Sequence, residues 1–561
     1  MHKVPLSRMH KVPLSSDERR YFMTIWNRLF SKSNPVAGQL HRHQNRLYPH
    51  VPTPSTAPDF TGDLEAMLNY TAQSLGTSDD YIVRHIDVNG CSAALLFIIT
   101  VCDPKIIEET LRTLHAHSFP RTRVTELPEY LMRKVLTGAT MSLKINLFDV
   151  TEALSSGSLI LVIQGAPSVI VLGANLVEHR SPELPSLETS PRGSQISFVE
   201  NVDINIGLIR NALHTRSFQV KKIEVGYRSR SSIAVLYMND VADKEVVQIA
   251  ISRIEAIHVD TINQTAEIEQ RICEHPWSFF PLTRVTQRID NVTRELNQGK
   301  VAIMADGDPS ILLIPATIQD FFQTGEDYTH SIWESSAMRW LRVIAFIIAV
   351  YLPSLYVAFV DFNPELLPKV LGLQIAKSRE GVPFPAVMEV LIMFIAIEIL
   401  REATLRIPKQ MAQTVGVVGG LVLGESAVQA GIVSNILLIV IALNSISTFV
   451  SPSYEFSNSL RIMSMIMLGA SAIVGIFGII LASIWLLYET ARLKPFGVFY
   501  LTPFNGFHTR DLFIDGILLL PENLAAKRTS HLHPQDKLGA IKLLPLKTKL
   551  LNQLFSKVKK S

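Results

Sequence analysis

Three long stretches without a charged side chain constrain the fold of this 561-residue chain more than any other feature. They cover residues 343–360, 426–454 and 462–488, and each is at least 18 residues long. An α-helix rises about 1.5 Å per residue, so about 20 apolar residues cross the hydrocarbon core of a bilayer. The sequence therefore predicts an α-helical membrane domain, which we place at residues 331–490.

Four membrane spans are predicted within this domain. Segment 386–400 has only 15 residues and contains Glu389 and Glu398, and it is included because its neighbours already require a membrane domain. The predicted spans are residues 341–360, 386–400, 431–450 and 462–487.

A glycine-rich segment, residues 413–424, lies between the second and third spans. Its 12 residues are too few to cross a bilayer as a simple helix, so we expect a re-entrant segment packed inside protein. Gly416, Gly420 and Gly424 are spaced four residues apart. On a helix they form one smooth stripe suited to close backbone packing; alternatively, they only mark a break before Gly431.

The charges at the two ends of the chain predict their side of the membrane. Residues 1–50 contain nine Lys or Arg and two acidic residues, and residues 489–561 contain twelve Lys or Arg and five acidic residues. Positively charged flanks remain in the cytoplasm, and the first 50 residues lack the uninterrupted apolar stretch of a signal peptide. Both termini are therefore predicted to be cytoplasmic, as an even number of spans requires.

The part of the chain before the membrane domain contains a repeat. A shift of 142 residues aligns the segment that starts at Thr151 with the one that starts at Thr293 without gaps. The matched positions include Gly157 with Gly299, Gly165 with Gly307, and Pro167 with Pro309. Each copy predicts an apolar strand, an amphipathic helix, and then two strands joined by a Gly-Pro turn. The fold class is therefore a duplicated cytoplasmic α/β domain followed by an α-helical, multi-pass membrane domain.

Composition shifts divide the remainder of the chain. A Pro- and Glu-rich stretch lies between the two copies, and both ends of the chain are basic. The predicted units are a flexible N-terminal segment 1–79, a first α/β subdomain 80–178, a linker 179–195, a second α/β subdomain 196–330, and a basic C-terminal region 491–561.

Carboxylates at membrane depth are the first candidates for functional residues. Glu389 and Glu398 are nine residues apart, about 900° of helical rotation, so they lie on opposite helix faces. Carboxylates in a membrane usually face protein or water and serve a function. We expect Glu389 to attract cations or to pair with another helix, whereas Glu398 either has such a role or forms an ion pair with Arg401.

Three further polar residues are candidates for a pore or for helix contacts. Glu425 follows the glycine-rich segment, and Asn435 and Asn444 lie nine residues apart in an uncharged span. The two asparagines either bond across helices or line a hydrated path. A ring of Val, Leu or Ile, repeated by symmetry, could close a pore by excluding water.

No catalytic, cofactor or metal site is predicted. Asp306 and Asp308 resemble a metal-binding pair, but the equivalent loop of the first copy has neither acid, so a turn between strands explains both loops. The 16 histidines and three cysteines show no metal-ligand spacing. A net charge of +3 gives no field that would favour nucleic acid.

The C-terminal region ends in a sequence with an amphipathic helical pattern. Its apolar face consists of Leu550, Leu551, Leu554, Phe555 and Val558, with lysines around it. Such a helix either lies on anionic membrane lipid or docks on the cytoplasmic domain.

Several long motifs occur in the order found in one protein family. They are FVENVDINIGLIRNAL, GKVAIMADGDPSILLIPATIQDFF, SREGVPFP, SPSYEFSNSLR and LKPFGVFYLTPF. From about residue 80 to 515 the chain resembles the A subunit of the GerA-type spore germinant receptors.

This resemblance implies a function and partners. The chain would reside in the inner spore membrane with a transporter-like B subunit and a lipoprotein C subunit. It would form a homo-oligomer that conducts ions when a nutrient binds, mainly at the B subunit, and it would not be an enzyme. The alternative is a non-conducting scaffold that couples the B subunit to other germination proteins. A secondary transporter would need more than four spans.

Overall fold

The computed structural model describes residues 58–504 apart from 77, 118–122, 137–139 and 176–195, and also 516, 519, 528 and 532–536. The predicted linker 179–195, most of the N-terminal segment and the amphipathic C-terminal sequence lie outside these residues.

Two five-stranded antiparallel sheets form the α/β part of the molecule. The first contains β1 (Tyr81–Val88), β2 (Cys91–Ile98), β3 (Met141–Lys144), β4 (Ser158–Ile163) and β5 (Val169–Gly173), in the order β1-β2-β4-β5-β3. The second contains β6 (Phe218–Val225), β7 (Ser231–Met238), β8 (Arg284–Thr286), β9 (Val301–Ala305) and β10 (Ile311–Ile314), in the order β6-β7-β9-β10-β8. The two sheets have the same strand order, because adding five to each strand number of the first sheet gives the order of the second. The predicted duplication is confirmed.

The glycines matched in the two sequences occupy equivalent turns. Gly157 (φ 83°) and Gly299 (φ 103°) precede β4 and β9, and Gly165 (φ 80°) and Gly307 (φ 91°) lie in the turns that follow these strands. Positive φ is readily adopted only by glycine, which explains why these positions carry the same residue in both copies.

Helices cover both faces of each sheet. In the first subdomain they are α1 (Leu64–Leu75), α2 (Pro104–Ala116), α3 (Leu127–Lys134) and α4 (Leu147–Ser155); in the second they are α5 (Val202–Leu213), α6 (Lys244–Glu255), α7 (Thr265–Ile272) and α8 (Ile289–Gln298). Alternate strand residues face opposite cores: Leu159 and Leu161 pack towards α2, while Ile160 and Val162 pack towards α1 and α4. Burial on both faces is why these strands are continuous apolar runs rather than alternating ones.

The remainder of the described chain is helical. Residues 332–492, which the structure describes throughout, contain α9 (Ile332–Val357), α10 (Lys369–Ser378), α11 (Ala386–Arg406), α12 (Lys409–Gln429), α13 (Asn435–Phe449), α14 (Tyr454–Val474) and α15 (Ile476–Arg492). The segments Ile332–Phe362 and Tyr454–Val474 are each long and apolar enough to cross a membrane, and Thr414–Gln429 and Asn435–Phe449 are shorter apolar stretches.

The glycine-rich segment is part of a longer helix. Residues 413–424 lie inside the 21-residue helix α12, which begins after Pro408 and includes polar residues on both sides of the apolar core. The re-entrant path of this segment stays a prediction.

Residues 462–487, which we predicted as a single span, do not form one helix. Gly475, with φ 64° and ψ −134°, separates α14 from α15. A Cβ on Gly478 would lie 2.0 Å from the Ala470 carbonyl oxygen, so the two helices pack closely just after the break. This backbone conformation is essentially restricted to glycine, and the hydropathy of the run does not reveal it. The region therefore has six helices of 15 residues or more.

Candidate functional site

Glu389 is buried in a polar cluster at the end of the helical region remote from the sheets. Its Oε1 accepts a hydrogen bond from Arg379 Nε at 2.9 Å, and its Oε2 accepts one from the Ser434 backbone N–H at 3.0 Å. Ser434 Oγ in turn lies 3.1 Å from the hydroxyl of Tyr356. The Glu389 side chain is fully buried, so it is held by protein groups rather than exposed to a path for ions.

Asp361 completes this cluster and caps the N-terminus of helix α11. Its Oδ1 and Oδ2 accept hydrogen bonds from the backbone N–H groups of Ala386 and Val387, both at 3.3 Å. Its Oδ1 also lies 3.4 Å from Arg379 Nη1. A carboxylate at a helix N-terminus is stabilised by the helix dipole, so this cluster joins α9 and α13 to the start of α11.

Glu398 lies towards the other end of α11, in a cluster with more basic than acidic groups. It forms ion pairs with Arg401, at 3.8 Å between Oε2 and Nη1, and with Arg461 of α14. The Arg401 guanidinium also lies 4.9 Å from the ring centroid of Phe449, which brings α13 into the cluster. The structure thus contains the ion pair with Arg401 and adds Arg461, a partner 63 positions away.

The two asparagines are in different surroundings. Asn435 is the exposed first residue of α13 and does not lie in the middle of a span. Asn444 is 3% exposed, and its side-chain oxygen has no hydrogen-bond partner.

The predicted glycine stripe of α12 is mostly open. A Cβ at Gly416 or Gly420 would meet nothing within 4 Å, and only Gly424 packs against a neighbour, Leu438. Gly419, which the stripe did not include, faces Leu400. Glu425 is exposed and accepts a hydrogen bond from Gln429 at 3.1 Å. Much of α12 therefore lacks a neighbour in the single chain.

The two acids of the loop between β9 and β10 stabilise the second subdomain. Asp306 Oδ1 accepts a hydrogen bond from the Val202 N–H at 3.1 Å, and Asp308 Oδ2 accepts one from the Thr265 N–H at 2.8 Å. Within the described part of the chain, no group of three or more His, Cys, Asp or Glu could hold a metal ion.

A buried ion pair joins the two α/β subdomains, and the sequence reading missed it. Arg210 of α5 donates to both carboxylate oxygens of Asp80 at 2.7 Å, while Ser78 and Thr100 donate at 2.6 and 2.9 Å. Burial alone would raise the pKa of Asp80, but the charge and hydrogen bonds of Arg210, with the two hydroxyls, hold this pKa below its usual range. The partners are 130 positions apart, so no local pattern could have revealed the pair.

A second junction joins the α/β part to the helices. The short 3₁₀ helix Ile318–Phe321 follows β10 and inserts Phe321 between Phe456 of α14, at 5.0 Å between ring centroids, and Tyr500 at 6.4 Å. Lys300 directly precedes β9, and its Nζ lies 2.6 Å from Asp320 Oδ1. This ion pair holds the 3₁₀ helix against the sheet.

Asp327 adds a polar contact to this second junction. Arg342 donates to both carboxylate oxygens at 2.8 and 2.9 Å, and Arg339 Nε donates at 3.1 Å; both arginines belong to α9. Burial would raise the pKa of Asp327, but the hydrogen bonds and charges of the two arginines lower it. Asp327 belongs to the segment EDYTHS, residues 326–331, and its arginine partners were not anticipated from the sequence.

Residues 69–531 match the family model described as Bacillus/Clostridium GerA spore germination protein. The chain belongs to this GerA family. The resemblance inferred from the motifs is thereby confirmed, and the family model covers the strands of both α/β subdomains and all the helices of residues 332–492.

Two relatives in this family match this chain over nearly their whole length. Spore germination protein GerLA of Bacillus cereus is 32% identical over 481 residues, 85% of this chain and 97% of the relative. Spore germination protein B1 of Bacillus subtilis is 31% identical over 482 residues, 85% of this chain and 98% of the relative. A crystal structure of the N-terminal domain of the A subunit of the Bacillus megaterium germinant receptor GerK3 matches with a TM-score of 0.36 and 23% identity, over 47% of this chain and 98% of that one.

Proposed function

We propose that this GerA-family chain is the A subunit of a nutrient germinant receptor and that copies of it form an ion channel in the inner spore membrane. Membership of the family supports the role in spore germination. The assembly and its conduction are argued from helix α12.

Helix α12 supports self-association because its apolar side chains lack neighbours. Val417 and Val422, which flank the proposed pore face, are 66% and 54% exposed. Gly416 and Gly420 leave open space beside them. Small residues let helix backbones approach closely in a membrane, where association depends on packing. A second copy of the same helix would cover this surface.

One face of α12 also has the composition of a gated pore. Thr414, Val418, Leu421 and Glu425 follow one another at spacings of three or four residues, so they line a single helix face. Around a symmetry axis, Val418 and Leu421 would form apolar rings that exclude water, and Glu425 would place carboxylates at one mouth. Glu389 does not belong to this lining, because Arg379 and Ser434 hold it inside one chain.

A membrane location is supported by the outer surface of the helical region. Large apolar side chains such as Phe477, Leu481 and Ile484 are at least 60% exposed, and so extended an apolar surface is unfavourable in water. Six long helices are an even number, which would keep both ends of the chain on the cytoplasmic side. The α/β subdomains would then receive signals from B and C subunits through the two junctions.

The channel is tested with two matched leucines. Purified chain is reconstituted into planar bilayers, and the resting current is compared for wild type, Leu421→Ala and Leu481→Ala. The two leucines are 65% and 64% exposed, but only Leu421 lies on the proposed pore face. Leu421→Ala removes apolar volume from the closed ring, so we expect a several-fold larger resting current, while Leu481→Ala leaves it unchanged.

The same experiment separates the alternatives. Equal currents for the two variants would contradict α12 as the pore lining. If neither wild type nor Leu421→Ala passes current, and cross-linking finds oligomers, a non-conducting scaffold is the better description.

A further inference from the structure

The loop between α7 and β8 carries an unusually exposed tryptophan. We define the aromatic loop as residues 275–280, His-Pro-Trp-Ser-Phe-Phe. Trp277 is 92% exposed and Phe279 is 37% exposed, although residues of this size normally bury much of their surface. Because a large apolar side chain is unfavourable in water, Trp277 is expected to contact another surface.

The loop is held in place from its inner side. Phe280 is 5% exposed and packs against the ring of Tyr500, at 5.7 Å between ring centroids. Ser278 accepts a hydrogen bond from the Phe280 N–H at 3.1 Å and donates one to the Phe280 carbonyl at 3.0 Å. Trp277 is therefore presented by an anchored turn.

The outer side of the loop lies against helix α15. The rings of Phe279 and Trp485 meet edge to face, with centroids 6.0 Å apart. Trp485 lies seven residues before Arg492, the last residue of the helix, which is about 10 Å along the axis. The neighbouring residues Leu481, Ile484 and Tyr488 are exposed, so the loop borders the apolar outer surface of α15.

A cleft of about 330 Å³ separates the aromatic loop from the end of α15. Its lining combines apolar groups such as Trp277 and Leu493 with ionisable ones, His275, Glu489 and Arg492. Such a mixture matches the headgroup region of a bilayer, where the apolar body and the N–H of an indole are both accommodated.

We infer that the aromatic loop is a membrane anchor of the second α/β subdomain and that Trp277 inserts at the headgroup level of the cytoplasmic leaflet. The inference rests on the proposed membrane location of α15. Its support is that the loop continues the exposed apolar surface of this helix. The anchor would fix the height of the subdomain above the membrane, next to the junction at Phe321.

The test uses the depth-dependent quenching of tryptophan fluorescence by brominated lipids. In the full-length chain, Trp26, Trp333, Trp340 and Trp485 are changed to Phe, which leaves Trp277 as the one tryptophan. The matched control changes all five to Phe and introduces Tyr227→Trp. Tyr227 is also exposed, at 72%. It follows β6 and lies at the same end of the second sheet as Ala305, whereas Ile314, which leads to the helices, lies at the opposite end.

We expect lipids brominated near the headgroup to quench most of the Trp277 emission and more of it than lipids brominated deep in the chains. The control tryptophan should be quenched only by aqueous acrylamide. Absence of lipid quenching at Trp277, while the chain resists alkaline extraction from the vesicles, would overturn the anchor and leave the membrane proposal standing. Release of the chain by alkali would overturn both.

A third result would point to a protein partner. If neither brominated lipid nor acrylamide quenches Trp277, another copy or another subunit covers it, and the lipid inference is wrong.

Discussion

At the scale of single residues, buried charge occurs where parts of the molecule meet. Asp80 and Arg210 join the α/β subdomains, and Asp327 with Arg342 joins the second subdomain to α9. A buried ion pair is not by itself strongly stabilising, but removal of one partner leaves the other charge buried without compensation. These pairs therefore enforce one arrangement of the parts they connect.

Arg210→Ala should lower the free energy of unfolding by about 3–5 kcal/mol, because Asp80 would remain charged and buried. The measurement is chemical unfolding of the detergent-solubilised chain. Arg112→Ala is the matched control: its ion pair with Glu108 is on the surface, with the Arg112 side chain 82% exposed, and is worth about 0–1 kcal/mol. Similar losses for both variants would show that the junction does not depend on this pair.

At the scale of elements, the helical region is organised by backbone features that hydropathy does not report. Gly475 divides an uncharged run into α14 and α15, and Pro408 separates α11 from α12. In the α/β part the elements follow local signals more closely, because strands buried on both faces are bounded by glycines at positive φ.

Gly475→Ala should destabilise the hairpin of α14 and α15. Its φ of 64° and ψ of −134° strain any other residue, by about 1–3 kcal/mol, and the new Cβ would lie 2.8 Å from Phe362. Gly469→Ala, inside α14 with nothing within 4 Å of the added Cβ, should leave stability unchanged or slightly higher. Thermal unfolding in detergent compares the two, and equal midpoints would contradict the assigned conformation of Gly475.

At the scale of the whole molecule, two junctions in series connect the first subdomain to the helices. Asp80 with Arg210 links the first subdomain to the second, and Phe321 and Asp327 link the second to α9 and α14. A displacement of either subdomain would therefore move α9 and α14, the helices against which α11 and α13 pack. This continuity is what the proposed receptor would need to pass a signal to α12.

Acid should loosen both junctions. The pKa values of Asp80 and Asp327 are lowered in the folded chain, so on acidification the unfolded chain takes up protons first. The stability from both pairs is complete above about pH 4 and is lost as the pH falls through the lowered folded pKa values. The unfolding midpoint should thus fall with pH below about 4, and this pH dependence should be weaker in Asp80→Asn. An equal pH dependence in wild type and variant would contradict the lowered pKa of Asp80.

Much of the fold could be predicted from the sequence, and little of the candidate site. Apolar runs and repeated glycines are local signals, so they predicted the helical region and the duplicated sheets. The arginines that tie Glu389, Glu398 and Asp80 to other segments, Arg379, Arg461 and Arg210, are 10 to 130 positions away. The open face of α12 depends on where its neighbours lie.

Local patterns were enough to establish that this chain contains a duplicated α/β unit and a long apolar helical region, because burial patterns and turn residues act over a few neighbouring positions. The folded chain was needed to establish which charges are neutralised, where the last apolar run turns back, and which helix remains uncovered. These depend on contacts between distant segments, whose energies no local pattern records.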